Sequence, residues 1–257
     1  MAEQRTGRIT GTGSCVPDLC ITNERLSELV DTSDAWIYSR TGIHRRRIAV
    51  DETVADLAAE AAQKAMENAK ILPEEIDLLL VATCSGEMLF PGTACQVQAR
   101  IGAVRAAAFD MNAACSGFLF ALGTAWAYLK SGLYEKILVI GAEKLSRLLD
   151  WEDRSTCVLF GDGAGAAVAT LSPQHPYASL LGSDGAQSCI WAKGPGPDPS
   201  HLQMDGKAVF RFAVDIIPRA VHGLLEKTGL SLSQIHHVVC HQANSRILDY
   251  AAKKLQA

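Results

Sequence analysis

Apolar residues along this chain follow two spacings. The compact runs DLLLVAT (77–83), AAAFDM (106–111), KILVIGA (136–142), CVLFGDGAGAAVAT (157–170) and IHHVVC (235–240) have the length and composition of buried strands. Between them, TVADLAAEAAQKAMENA (53–69) repeats apolar residues at helical intervals, which predicts an Ala-rich amphipathic helix. CSGFLFALGTAWAYLKSG (115–132) is almost wholly apolar and reads as a central buried helix. Strands alternating with helices imply an α/β fold with parallel or mixed pairing.

The pattern also repeats. Displacing the sequence by 159 positions sets AMENAKILPEEIDLLLVA (65–82) against LLEKTGLSLSQIHHVVCH (224–241), each a helix, a short polar turn and a strand. Glu67 falls opposite Glu226, and Ile76 opposite Ile235. The first copy runs on to about Thr170, whereas sixteen residues follow His241 in the second. If the halves are duplicates, roughly 70 residues are missing from the second.

Composition narrows the classes. With 48% hydrophobic and 20% charged residues over 257 positions, the chain can build a large core. A net charge of −4 supplies no general attraction to nucleic acid or an anionic membrane. The N-terminus has no signal-like apolar run, and no later stretch offers ~18 uncharged apolar residues, so a cytoplasmic protein is expected. Eight cysteines without a CxxC pair suggest neither a zinc site nor a redox dithiol; free and mostly buried thiols are expected.

Two positions invite a chemical reading. Cys115 in DMNAACSGFLFAL stands where a strand turns into the apolar helix, and a helix N-terminus lowers a thiol's pKa and raises its thiolate fraction. A small buried cysteine packed among alanines is the competing reading. His241 ends a strand-like run, where α/β folds gather ligands, although in isolation a histidine satisfying a loop explains it better. LFGDGAGAAV (159–168) lacks the Gly-Lys-Ser/Thr ending of a phosphate loop and reads as a turn with close backbone packing. Trp36 beside Arg40, Arg45, Arg46 and Arg47 could stack a nucleobase while guanidinium groups hold phosphates; a solvated charged face is the alternative.

Together, DTSDAWIYSRTGI, AFDMNAACSGF, LFGDGAGAAV and CHQANSRI resemble the β-ketoacyl-acyl-carrier-protein synthase III family, thiolase-fold enzymes that start fatty-acid synthesis. Four motifs in register from about residue 8 to the end make this resemblance far more specific than any one of them. It implies a five-layer α-β-α-β-α arrangement of two similar halves, residues 1–172 with a nucleophilic cysteine and 173–257 with a catalytic histidine, the second half incomplete. Cys115 would take an acyl group from acyl-CoA, and His241 would assist decarboxylation of malonyl-acyl carrier protein. Trp36 and Arg154 would sandwich the CoA adenine, with Thr32 beside them, Arg40 near the phosphates and Asn244 at the pantetheine region or an ordered water. Phe90 would close the acyl pocket, with Cys84, Leu145 and Leu202 on its walls. Arg211, Arg246, Lys253 and Lys254 would dock the acidic carrier protein. A homodimer is implied, and no cofactor, since acyl-CoA is a substrate.

The family continues past AAKKL with an HGNTSAAS-like segment, whose asparagine completes a Cys/His/Asn triad, and a Gly-rich turn with an oxyanion-hole N–H; neither occurs in these 257 residues. A truncated chain is therefore expected, of doubtful activity and prone to aggregate through unpaired strand edges. An inactive thiolase-like subunit that binds CoA or carrier protein, or a polyketide starter ketosynthase, would share the same motifs. A nucleotide-binding α/β protein without covalent chemistry is a further reading.

Overall fold

The computed structural model describes residues 6–172, 177–185, 189–194 and 200–256. Its strands in chain order are β1 (Thr6–Cys15), β2 (Cys20–Thr22), β3 (Arg45–Arg47), β4 (Leu78–Ala82), β5 (Ala107–Met111), β6 (Lys136–Lys144), β7 (Asp162–Ser172), β8 (Ile190–Trp191) and β9 (Gln203–Met204). The helices are α1 (Asn23–Leu26), α2 (Asp34–Thr41), α3 (Val54–Ala69), α4 (Thr93–Ile101), α5 (Gly117–Ser131), α6 (Arg154–Cys157), α7 (Gly206–Thr228) and α8 (Ser245–Leu255). The chain divides into two compact units, one of residues 1–20, 47–147 and 161–177, the other of 21–46, 148–160 and 178–257.

The first unit is built on a five-stranded mixed sheet in the order β1-β7-β6-β4-β5, with β6, β4 and β5 parallel and β7 antiparallel to both neighbours. Alternation of side chains along β4 explains why its sequence is apolar throughout. Leu79 and Val81 join the cluster with Ala58, Ala62 and Val97 from α3 and α4, while Leu78 and Leu80 join Ala121, Ala125 and Leu129 of α5. A strand covered on both faces cannot show a polar alternation.

The start of α3 follows from local chemistry. Thr53 Oγ1 accepts from Asp56 N–H at 3.1 Å, and Asp56 accepts from Thr53 N–H at 2.9 Å, a reciprocal cap of about 1 kcal/mol. The alanines of α3 then let it lie directly on β1. A Cβ at Gly13 would stand 2.3 Å from Ala61 O, and one at Gly11 2.4 Å from Ala65 O. The close backbone packing expected of LFGDGAGAAV thus belongs chiefly to GTG at 11–13, since Gly165 has no neighbour within 4 Å; the AAVAT stretch does continue as strand β7.

The second unit packs Leu26, Val30, Ile37, Cys157 and Val158 into one small cluster and sets α7 beside α8, where Phe210 meets Tyr250 edge-on at 6.3 Å. Here the internal repeat reappears in hydrogen bonds. Lys70 and Gly229, 159 positions apart, both end their helices with positive φ. Ile71 N–H donates to Met66 O at 3.1 Å and Leu230 N–H to Leu225 O at 3.2 Å. Each copy then makes a 3₁₀ turn, Pro73–Glu75 or Leu232–Gln234, whose last side chain caps its entry.

Two expectations are corrected. Residues 235–240 form no strand, because no described segment pairs with them; Val239 is 88% exposed, and a groove of about 820 Å³ lies between this segment and α8. The helix from 115 is not buried all round: α5 buries its Ala121, Ala125 and Leu129, but its Leu119 is 59% exposed. Apolar composition cannot say how many faces of an element find a partner.

Gly13→Ala is expected to cost about 1–3 kcal/mol of stability in urea denaturation, because α3 must move off β1. Gly165→Ala, which adds its methyl to open space, should leave the midpoint nearly unchanged. Equal losses in both variants would show that the α3–β1 approach is not the constraint.

Candidate active site

The parallel strands β4, β5 and β6 send their C-terminal ends to one side of the first unit's sheet. The chain leaves β4 for β5 on one side and then returns past β4 to β6, so the strand order reverses there. Such reversals open a crevice above the strand ends. Three segments meet it: Thr83–Ser85 after β4, Asn112–Ser116 after β5, and Glu143–Ser146 at the end of β6.

Cys115 lies in a 3₁₀ turn, Ala114–Ser116, immediately before α5. Ala114 has φ of +45°, a left-handed conformation that costs a residue with a Cβ about 1–2 kcal/mol. Asn112 supports the turn by accepting from Ala114 N–H at 3.2 Å. Gly117 then lets α5 start close to the sheet, since a Cβ there would be 3.0 Å from the Ala82 side chain. The result is a cysteine that keeps exposed surface while its thiol is partly desolvated, on a constrained turn at the strand ends.

Its electrostatics differ from the expectation. The Cys115 pKa is raised, first by desolvation and then by the Glu143 carboxylate, against one favourable backbone hydrogen bond. Cys84 is pushed up to about 12, first by desolvation, then by the Glu143 carboxylate through charge and a side-chain hydrogen bond, and further by Cys115. The helix terminus does not create a resting thiolate here, because burial and a like charge outweigh it. The thiols are also not mostly buried: Cys15 and Cys157 are, whereas Cys84, Cys95 and Cys115 are exposed.

Of the expected acyl-pocket residues, Cys84, Phe90 and Leu145 belong to the first unit and Leu202 to the second. Phe90 is 82% exposed, and Leu202 is buried with its N–H donating to Leu148 O at 2.7 Å. Asp110 fixes the approach to α4 just beyond Phe90, accepting from Thr93 N–H at 2.7 Å and Ala94 N–H at 2.6 Å.

The second unit holds the other candidates. Trp36 has the Arg40 guanidinium 4.5 Å and the Arg154 guanidinium 4.9 Å from its ring centroid, so the expected pair is adjacent. Arg154 also donates to Asp31 O at 2.6 Å. Thr32 Oγ1 is buried with no hydrogen-bond partner among the described residues. His241 retains exposed surface, yet desolvation lowers its pKa and favours the neutral imidazole. Asn244 caps α8, accepting from Ile247 N–H at 2.9 Å. Arg246 donates to Ser39 O at 3.1 Å, Lys254 pairs with Asp215 at 3.0 Å, and Arg211 and Lys253 are exposed.

Sequence reading passed over Glu143 and set Arg46 among guanidinium groups that could hold phosphates, whereas Arg46 is buried and donates to Asn23 Oδ1 at 2.8 Å and Val158 O at 3.0 Å. A charge closing the apolar run KILVIGAEK was the available signal for Glu143.

Comparison with known proteins bears on this arrangement. The sequence profile of the 3-oxoacyl-[acyl-carrier-protein] synthase III family matches residues 109–188. A β-ketoacyl-[acyl-carrier-protein] synthase III of Clostridium acetobutylicum is 49% identical over 96% of this chain and 80% of its own length. The chain belongs to the 3-oxoacyl-[acyl-carrier-protein] synthase III family. The crystal structure of the synthase III from Aquifex aeolicus VF5 superposes with a TM-score of 0.93 at 44% identity, covering 97% of this chain and 81% of that one. The priming β-ketosynthase of the R1128 polyketide pathway gives 0.92 at 36% identity, over 100% and 80%. The fold is therefore thiolase-like, and the chain is an acyltransferase of the ketosynthase type. Matches with the curated relatives span 96–100% of this chain and 79–82% of the relatives' own lengths. No described helix is long and apolar enough to cross a membrane.

For this synthase III family member, iodoacetamide at mildly alkaline pH should modify Cys115 and Cys84 more slowly in the folded protein than in urea, as peptide mass mapping would record. Faster modification when folded would mean that the helix terminus, not Glu143 and burial, controls these thiols.

Proposed function

We propose that this protein loads a short acyl group from acyl-CoA onto Cys115 and condenses it with malonyl-acyl carrier protein, acetyl-CoA being the expected primer. The observation that carries this reading is the position of Cys115 on the constrained Ala114–Ser116 turn, at the strand ends of a chain from this family. In the first step the Cys115 sulfur attacks the thioester carbonyl, the C–S bond to CoA breaks, and CoA departs as its thiol with the proton lost by Cys115. In the second, loss of carbon dioxide from the malonyl group leaves an enolate. Its carbon attacks the Cys115 thioester and releases the cysteine with a 3-ketoacyl carrier protein.

His241 serves the second step. Its lowered pKa keeps the imidazole neutral at physiological pH, so that one ring N–H can donate to the enolate oxygen as charge develops. Trp36, Arg154, Thr32, Arg40 and Asn244 form the proposed CoA contacts, with Thr32 offering an unsatisfied buried hydroxyl. Both guanidinium groups already contact Trp36, so adenine binding displaces at least one of them from the ring. Arg211, Arg246, Lys253 and Lys254 offer cations to an acidic carrier protein. The resemblance extends the proposal to a cytoplasmic homodimer, which sedimentation tests. The similarity to the R1128 priming enzyme favours one second reading, a starter ketosynthase that feeds polyketide synthesis.

Incubation with acetyl-CoA should add one acetyl group by intact mass, and Cys115→Ala should abolish it. Acetylation that persists in Cys115→Ala would remove Cys115 from the mechanism.

A further inference from the structure

The end of β6 carries a carboxylate that organises its surroundings. Glu143 Oε1 accepts from Cys84 N–H at 2.9 Å, and Oε2 accepts from the Ser85 hydroxyl and, at 3.3 Å, from the Thr83 hydroxyl. Ser85 Oγ in turn accepts from Lys144 N–H at 2.8 Å, which leaves its own proton for Glu143. Arg147 donates to Ser85 O at 3.1 Å. Three consecutive residues after β4 are thus tied to one short segment of β6 and its exit. Cys84 and Cys115 both sense Glu143 electrostatically, and Cys84 senses Cys115, so the three groups form one cluster.

We propose that Glu143 is a positioning residue for acyl transfer: it fixes the Thr83–Ser85 turn so that Cys84 forms a rigid wall beside the acyl group on Cys115. The proposal rests on Cys115 being the nucleophile. Its chemistry distinguishes geometry from charge. Gln at this position keeps an oxygen for Cys84 N–H and turns its NH₂ toward Ser85 Oγ, which can accept it. Asp keeps the charge but is one methylene too short to hold both Cys84 and Ser85.

The test is acylation of wild-type protein and the Glu143→Gln, Glu143→Asp and Glu143→Ala variants with acetyl-CoA and with a longer straight-chain acyl-CoA, followed by intact mass. Glu143→Ala should load acetyl groups on the order of 10²-fold more slowly at saturation, with the half-saturating acyl-CoA concentration near that of wild type and a changed preference between chain lengths. Glu143→Gln should recover most of the rate, and Glu143→Asp should fall below it; that order decides the matter even where Glu143→Ala does not fold. Asp performing better than Gln, or Ala matching wild type in rate and selectivity, would overturn the proposal. Labelling that persists in Cys115→Ala would instead overturn the underlying assignment of the nucleophile.

Discussion

Burial of β4 on both faces is the constraint on which the first unit depends. Its five residues are at most 4% exposed, and covering them requires helices on opposite sides of the sheet. The chain must therefore pass from β4 through α4 on one face and from β5 through α5 on the other. That crossing places three loops together at the strand ends. Two close approaches hold it at its working separation: α3 on Gly11 and Gly13, and α5 on Ala82 through Gly117. The strained turn at Ala114 costs little beside the apolar area that α5 removes from water, and it is over-determined by the strand before it and the helix after it.

The second unit is organised by polarity. Arg46 is 5% exposed and donates to Asn23 Oδ1 and Val158 O, while Asn23 Nδ2 donates at 2.7 Å to both Asp34 Oδ1 and Ile43 O. This network ties α1, α2 and the residues after α6 around a cluster of few side chains. The buried guanidinium is tolerated because both terminal nitrogens have fixed acceptors, Ile21 O, Asn23 Oδ1 and Val158 O, and losing one would leave a buried N–H unsatisfied. Trp36 rides on the resulting frame, with a cap from Ser33 fixing its backbone. The basic run RRR therefore contains one structural residue, Arg46, beside exposed or half-exposed neighbours.

What the sequence disclosed depended on whether an element's environment is written in its own residues. The strands, α3 and the cysteine turn were legible because compact apolar runs, apolar residues at helical spacing and a small-residue turn between strand and helix are local signatures. The repeat was faint in identity, yet it is exact in the position of helix ends and turn caps, since those are set by backbone chemistry at Lys70 and Gly229. Residues 235–240 misled because a strand needs a partner that composition cannot supply. The thiol pKa misled for a related reason: the helix terminus is local, whereas Glu143 arrives from a strand 28 residues later in sequence, 143 against 115.

That distant carboxylate changes what the cysteine turn is suited to do. A thiol held neutral is a weak nucleophile at rest, and it is equally a poor target for oxidation, which follows thiolate character and exposure. Acylation removes the penalty, because a thioester carries no charge for Glu143 to oppose. The same field raises the cost of expelling the sulfur as a thiolate, and a thiol of higher pKa leaves more slowly. On the proposed pathway this favours an acyl-enzyme that waits for its second substrate instead of losing its acyl group to water.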